Sequence, residues 1–309
     1  MFLCVNANAA IDKTVVVPGF ELDRIHRPGQ VLMLPGGKGI NVARGLHTLG
    51  ETAAVTGWAG GFAGQFIAAG LAQEGIRAEF AWCSFESRTC LSVLDPERGT
   101  LTELYETGEP VPPAQADELK ALFTRLVGEA EYVTISGALS PGVPASFYGE
   151  LVQLAQQAGV PAALDCSGEA LRLGLAARPA LIKPNQAEFQ ALVGQPLEGL
   201  ASFVAAARET AQRHDMLVVL SLGAEGAIAV RPAEAWHARP PRLKIASAVG
   251  SGDTLLAGVV QGLARGLALP EALRRGVAAG TANALTVGAG QFSRADFERV
   301  LAGVEVQEI

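Results

Sequence analysis

Two rhythms of apolar residues run along this chain. Residues 2–8 form a short, mainly apolar run suited to a buried strand, and 52–58 read as a second strand. Between them Val42, Leu46 and Leu49 recur at helical spacing, which predicts a helix over 41–49, and 62–74 reads as another. After Pro113 the alternation is regular. Helices are predicted over 116–126, 145–157, 169–175, 186–193 and 201–213, interleaved with strands at 132–136, 162–165, 181–183 and 217–221. A small β section from 227 to about 245 precedes three closing helices, 253–266, 270–286 and 293–300. The last carries its own cap, because Ser293 is followed three residues later by Asp296.

Strands alternating with helices define an α/β fold, a doubly wound and mainly parallel sheet flanked by helices. Two β-rich insertions, 13–35 and 88–105, break the alternation. They predict a small second sheet standing away from the main layer, a β lid. Length alone allows about two domains, but without an internal repeat or linker we read 1–309 as one domain carrying this lid.

Composition narrows the function. The chain is 49% hydrophobic and 18% charged, with a net charge of −7, which describes a globular protein with a large core. Acidity argues against nucleic acid as a partner, since phosphate backbones demand a basic surface. No uninterrupted apolar run is long enough to span a membrane, the N-terminal segment lacks a cationic leader, and Cys4, Cys83, Cys90 and Cys166 show no metal or redox spacing. A soluble, cytoplasmic protein is expected. Lysine is scarce: Lys13, Lys38, Lys120, Lys183 and Lys244 are the only five, and two fall inside the motifs below.

The candidate chemistry lies in three glycine- or proline-marked turns. Gly250-Ser251-Gly252-Asp253 opens an apolar helix. First-turn amides have no intrahelical partner and carry partial positive charge, so glycines there make an anion site, with Asp253 projecting into it. Dipole stabilisation alone would equally favour an Asp at this position. Leu34-Pro35-Gly36-Gly37-Lys38-Gly39-Ile40-Asn41 is neither a P-loop nor a dinucleotide fingerprint. Its bare backbone beside Lys38 and Asn41 suits a polyhydroxyl ligand, or a plain turn with Asn41 as cap. Lys183-Pro184-Asn185 with Glu188 has the spacing of a capping box, compatible with a second role near phosphates.

These motifs, with Ser221-Leu222-Gly223 and Gly226, occur in one order that resembles the ribokinase-like (PfkB) sugar kinases over nearly the whole chain. Asn8 to Asp12, Gly36 to Asn41 and Leu101-Thr102-Glu103-Leu104 most resemble the phosphofructokinase and tagatose-6-phosphate kinase branch. The resemblance implies a ribokinase-like fold whose lid often dimerises, with Asp253 as catalytic base and Gly250, Ser251 and Gly252 as anion hole. It implies sugar contacts from Asp12, Gly36, Gly37, Lys38 and Asn41, and substrate-phosphate contacts from Arg88 and Arg27. Lys183, Asn185, Ser221, Gly223 and Asn283 match the nucleotide side, with Glu188 in the Mg²⁺–phosphate network. Ala9 and Ser251 depart from the pattern harmlessly. Ala138 stands where the branch usually has a serine near the sugar phosphate, which leaves the substrate open.

The resulting expectation is an ATP- and Mg²⁺-dependent kinase of a ketohexose monophosphate: fructose 1-phosphate, fructose 6-phosphate or tagatose 6-phosphate. A kinase of an unphosphorylated sugar or nucleoside, and a sugar-phosphate-binding protein without catalysis, are the alternatives. The helix dipole is expected to lower the pKa of Asp253 while it stabilises charge on the transferred group. A homodimer through the lid is expected as well.

Overall fold

The computed structural model describes residues 1–309. The chain opens with β1 (Phe2–Asn6), β2 (Ala10–Val16), β3 (Gln30–Gly36), α1 (Lys38–Thr48), β4 (Ala53–Gly60), α2 (Gly61–Gln73) and β5 (Arg77–Cys83). Next come β6 (Arg88–Asp95), β7 (Thr100–Tyr105), α3 (Pro113–Val127), β8 (Tyr132–Ser136), α4 (Phe147–Gln157), β9 (Ala162–Asp165), α5 (Gly168–Ala176) and β10 (Leu181–Ile182). The remainder is α6 (Gln186–Val193), α7 (Gly199–His214), β11 (Leu217–Ser221), β12 (Ala227–Val230), β13 (Ala235–Arg239), α8 (Ser251–Ala264), α9 (Leu269–Ala284), α10 (Arg294–Leu301) and β14 (Glu305–Glu308).

Ten strands form one sheet in the order β14-β13-β12-β11-β10-β9-β8-β1-β4-β5, parallel from β5 to β11 and antiparallel from β11 to β14. Helices cover both faces, and the reason is visible in β1. Phe2 and Cys4 point into one apolar cluster with α1, α2, α8, α9 and α10; Leu3 and Val5 point into a second with α3 to α7. A strand with helices on both sides needs apolar residues on both faces, which Phe2-Leu3-Cys4-Val5 supply before the polar Asn6 at its carboxyl end.

Two strands were not anticipated, β5 and β14. Both are edges of the sheet, where alternating charged residues such as Arg77 and Glu79 keep the outer rim polar and hide the β signal. The β section expected to reach 245 stops at Arg239, because Pro240 and Pro241 cannot continue the ladder.

The insertions form a separate four-stranded sheet, β3-β2-β6-β7, starting slightly earlier than expected so that Asp12 lies on β2. Its own apolar cluster is only Val15, Val17 and Val93. At the tip, the buried Asp95 carboxylate accepts the N–H groups of Gly19, Phe20, Glu97 and Arg98 and ties two turns together.

Two features aim the body at a ligand. Asn6, Ser136 and Asp165 lie side by side in register at the carboxyl ends of β1, β8 and β9, the edge where open α/β sheets bind ligands. Helices α8 and α9 also approach at backbone distance. A Cβ on Gly280 would stand 2.8 Å from the Ser251 carbonyl, and one on Gly258 2.6 Å from that of Arg275, so both positions exclude any side chain.

Candidate active site

The site begins at the turn before α8. Gly250 has φ +79°, a left-handed conformation, and a Cβ there would lie 2.8 Å from Ala289. The Ser251 amide bonds the Ala248 carbonyl (3.2 Å) and that of Asp253 the Gly250 carbonyl (3.1 Å). No such bond engages the Gly252 amide, an arrangement suited to an anion. Asn283, matched in the sequence to the nucleotide side, is placed behind this turn. Its Nδ2 donates to the Val249 carbonyl (2.8 Å) and to Ser251 Oγ (3.2 Å), so it braces the anion turn from α9.

Asp253 is buried, and its Oδ2 accepts a hydrogen bond from Asn41 Nδ2 at 2.8 Å. The expectation that the helix dipole would hold its pKa down is corrected. Burial pushes the carboxyl up to about 6, with the Asp165 charge adding to the rise against Lys38, Asn41 and Lys183. Desolvation wins because the side chain is almost wholly buried, while the dipole acts only through the last partial charges of the turn. An Asp with this pKa remains mostly ionised at neutral pH and is a stronger base than a solvated one.

Asp165 is the residue that sequence motifs missed. Its carboxylate, wholly buried, pairs with Lys183 Nζ at 3.1 Å and Lys38 Nζ at 3.4 Å. Two of the five lysines thus converge on one carboxylate, which holds Lys38 well above the usual lysine range. A signal existed: Asp165 is a charge ending an otherwise apolar strand at its carboxyl end. Lys183 is buried, and a Cβ on Gly252 would come 3.4 Å from its Nζ. The ammonium therefore lies under the anion turn, not in the open wall of the nucleotide cleft.

On the opposite side, Asp12 reaches from β2 to the glycine loop between β3 and α1. A Cβ on Gly36 would collide with the Asp12 carboxyl at 2.1 Å, and Gly37 takes φ +116° at the N-terminus of α1. Asn6, also unassigned in the sequence, fixes this loop: Nδ2 donates to the Gly36 carbonyl (3.3 Å) and Oδ1 accepts from the Gly39 amide (3.2 Å). Burial pushes Asp12 up to about 6 despite Arg44, Arg88 and the Gly37 amide. A cavity of about 250 Å³ opens beside it under the small sheet, lined by Thr14, Cys90, Ser92 and Tyr105 among others.

The two arginines differ. Arg88 is half-buried at the start of β6 and gives three hydrogen bonds to carbonyls, two to Asn8 (3.3 Å) and one to Glu106 (2.9 Å), which leaves two of its five donors for a ligand. Arg27 lies in the exposed connection between β2 and β3 and lines neither the cavity under the small sheet nor the cleft beyond the anion turn. Ala138 is exposed and follows Gly137, which packs near Lys38.

Beyond the anion turn a larger cleft of about 720 Å³ is lined by Asn185, Ser221, Gly223, Ser251 and Gly252, with Pro240, Leu243, Val277 and Ala284 forming an apolar wall. Polar groups at one end and an apolar slot at the other suit a nucleotide. Asn185 and Glu188 form the capping box: Asn185 Oδ1 accepts from the Glu188 amide (2.9 Å) and Glu188 Oε2 from the Asn185 amide (2.8 Å). Such a cap stabilises a helix by about 1 kcal/mol, and it leaves the second Glu188 oxygen free.

A buried carboxylate at a helix N-terminus thus stands between a polar pocket and a nucleotide-sized cleft, an arrangement suited to phosphoryl transfer. Residues 2–295 match the pfkB family of carbohydrate kinases, and the chain belongs to that family. It is 42% identical over 276 residues to a 1-phosphofructokinase of Rhodobacter capsulatus, covering 87% of this chain and 86% of that protein. Among solved structures it resembles phosphofructokinase-2 from Escherichia coli in complex with fructose-6-phosphate (30% identity, 98% of both chains, TM-score 0.89). The same enzyme is known in a tetrameric inhibited form (31%, 97% and 98% covered, TM-score 0.89). Arabidopsis thaliana ribokinase complexed with ribose and ATP shares the fold at 20% identity, with 97% and 98% covered and a TM-score of 0.77. The protein is a sugar kinase, a phosphotransferase with an alcohol group as acceptor.

Proposed function

We propose that the protein transfers the γ-phosphoryl group of ATP to a hydroxyl of a ketohexose monophosphate, giving a bisphosphate. The observation that carries this reading is the position of Asp253, buried at the Gly250–Gly252 turn with Asp12 and the 36–41 loop on one side and the 720 Å³ cleft on the other. Asp253 accepts the proton of the attacking hydroxyl, late in a loose transition state. The Gly252 amide and the α8 dipole face the charge that develops on the transferred group. Asp12, Gly36, Gly37, Lys38 and Asn41 form the sugar side; Asn185, Ser221 and Gly223 form the nucleotide side, with Lys183 under the Gly250–Gly252 turn and Asn283 behind it. Arg88 binds the phosphate that the sugar already carries, with Arg27 as a second basic residue for it from the β2–β3 connection.

Mg²⁺ fits the donor set. No cluster of three acidic or histidine side chains exists to cage a metal, and Mg²⁺ characteristically takes one or two carboxylates, water and substrate phosphates. Glu188 is the carboxylate we assign to it. The ion would neutralise charge on the nucleotide phosphates.

The small sheet serves as lid and dimer surface in this reading, excluding water during transfer. Val31 and Met33 on one edge strand and Leu104 and Tyr105 on the other are exposed, which supports edges covered by a second copy. Four buried free cysteines and the absence of any helix long and apolar enough to cross a membrane support a cytoplasmic location.

Among the three candidate sugars, the name of the 42% relative favours fructose 1-phosphate. A coupled ADP-release assay across fructose 1-phosphate, fructose 6-phosphate, tagatose 6-phosphate, fructose and ribose tests the reading. A preference for free fructose or ribose would overturn the phosphorylated substrate, and no turnover on any of the sugar phosphates would overturn the activity.

A further inference from the structure

No sequence motif assigns a part to Arg44, yet all five of its N–H donors are engaged and its side chain is only 6% exposed. Nε and Nη2 grip the two oxygens of Glu74, at the end of α2, at 2.7 and 2.9 Å. Nη2 also donates to the Pro35 carbonyl (3.0 Å), and Nη1 to the Ala289 carbonyl (2.9 Å) and to Asn41 Oδ1 (3.3 Å). These partners belong to different walls of the site. Pro35 precedes the glycine loop, Ala289 packs against Gly250, and Asn41 holds the base.

A guanidinium has donors and no acceptor. Asn41 must therefore present its oxygen to Arg44, which turns its NH₂ toward Asp253. A flipped carboxamide would set an oxygen against the carboxylate and an N–H against the guanidinium, which is unfavourable at both ends. Asn41 and Arg44 are three apart on α1 and so lie on one face of the helix.

We propose that Arg44, clamped by Glu74, is a positioning residue that fixes the Asn41 carboxamide with its N–H on Asp253 and locks the 35–36 and 289–290 backbone around it. The proposal rests on Asp253 being the base. The charged groups facing Asp253 are Asp165 from β9, Lys38 from α1 and Lys183 after β10; those facing Arg44 are Glu74 from α2 and, through space, Asp12 from β2.

Dependence of kcat on pH, with saturating ATP and the sugar phosphate that the wild type turns over best, separates this role from mere helix packing. Arg44→Lys keeps the charge but cannot hold Asn41, Pro35 and Ala289 together. We expect kcat to fall about tenfold or more, as small misplacements at a reacting centre do. KM for ATP should stay within about twofold, because Arg44 meets no wall of the nucleotide cleft. The acidic limb should move up by about half a pH unit or more, because the carboxylate loses its N–H donor. Glu74→Gln loosens the clamp without removing Arg44 and should move both quantities the same way by less; it carries the test if Arg44→Lys fails to fold. In an Asn41→Ala background, Arg44→Lys should shift the limb no further. An unmoved limb in folded Glu74→Gln and Arg44→Lys overturns the proposal, as does an equal shift in the Asn41→Ala background. Asp253→Asn, run alongside, distinguishes the two levels: retained turnover there sinks the base assignment itself, whereas a dead Asp253→Asn with unmoved limbs in the other variants sinks only the positioning role.

Discussion

The ten-stranded body and the four-stranded sheet carry carboxylates under opposite regimes. In the body, Asp253 is buried beside another carboxylate, and burial raises its pKa to about 6. At the tip of the small sheet, burial also works to raise Asp95, but four backbone N–H donors outweigh it and its pKa is lowered. Asp95 is ionised because the fold wants the charge there. Asp253 is ionised at neutral pH against the cost of burial, helped by Lys38, Asn41 and Lys183, as the proposed base would have to be. The same contrast appears in packing: the body has two large apolar clusters, the small sheet has three valines.

The sharpest way to break this comparison is Asp253→Asn. It should cut kcat by at least about 10²-fold, the loss of a general base, in the ADP-release assay. Its stability should hold or rise at neutral pH. A carboxylate with a raised folded pKa binds more protons folded than unfolded between pH 3.8 and about 6, so stability gained on acidification through that window is withheld above it. A urea titration at pH 7 that showed clear destabilisation would place Asp253 among the structural carboxylates.

At the junction of the two regions, Arg88→Ala should raise KM for the sugar phosphate by roughly 10- to 100-fold, the range for losing a charge-assisted bond. KM for ATP should hardly change. If both constants rose together, Arg88 would be a hinge between sheet and body, and its bonds to Asn8 and Glu106 its whole function.

Leu104→Glu on β7 examines the outer face of the small sheet. Sedimentation should shift from dimer to monomer while the urea midpoint of the body stays put, because β7 is exposed along its length. A wild type that is already monomeric and fully active would reduce this sheet to a flap.

The smallest effect belongs to Asp95→Asn. Asp95 is the mirror case: its depressed pKa contributes stability above 3.8 that is lost as pH falls through the folded value. Hydrogen exchange at Gly19, Phe20, Glu97 and Arg98 should quicken in the variant at pH 7, with no change at α8. Unchanged exchange at the tip would mean that the turns hold without the carboxylate.

What the sequence revealed follows the same division. Buried parallel strands announce themselves by mainly apolar runs, and the glycine turns by residue types that few other conformations tolerate. The edges β5 and β14 did not, because half-exposed strands share their composition with loops. The site was legible as far as its motifs were contiguous. Asp165, Asn6 and Arg44 act across long separations, from Arg44 to Ala289 for instance, with partners met only after folding; the one local mark is the charge of Asp165 at the end of an apolar strand. The pKa of Asp253 was misread for the same reason: its enclosure is assembled from β9, α1 and the segment after β10.

The glycine seam between α8 and α9 also limits how this protein can be altered. Gly280 lies directly under the Ser251 carbonyl, so the floor of the anion turn is another helix at backbone contact. Laboratory evolution that strengthens the molecule by adding methyl groups to helices will find most surfaces receptive and this one closed. A single methyl there would lift the turn off its bearing and carry the aspartate with it, so the seam acts as a fixed datum from which the rest of the molecule can vary.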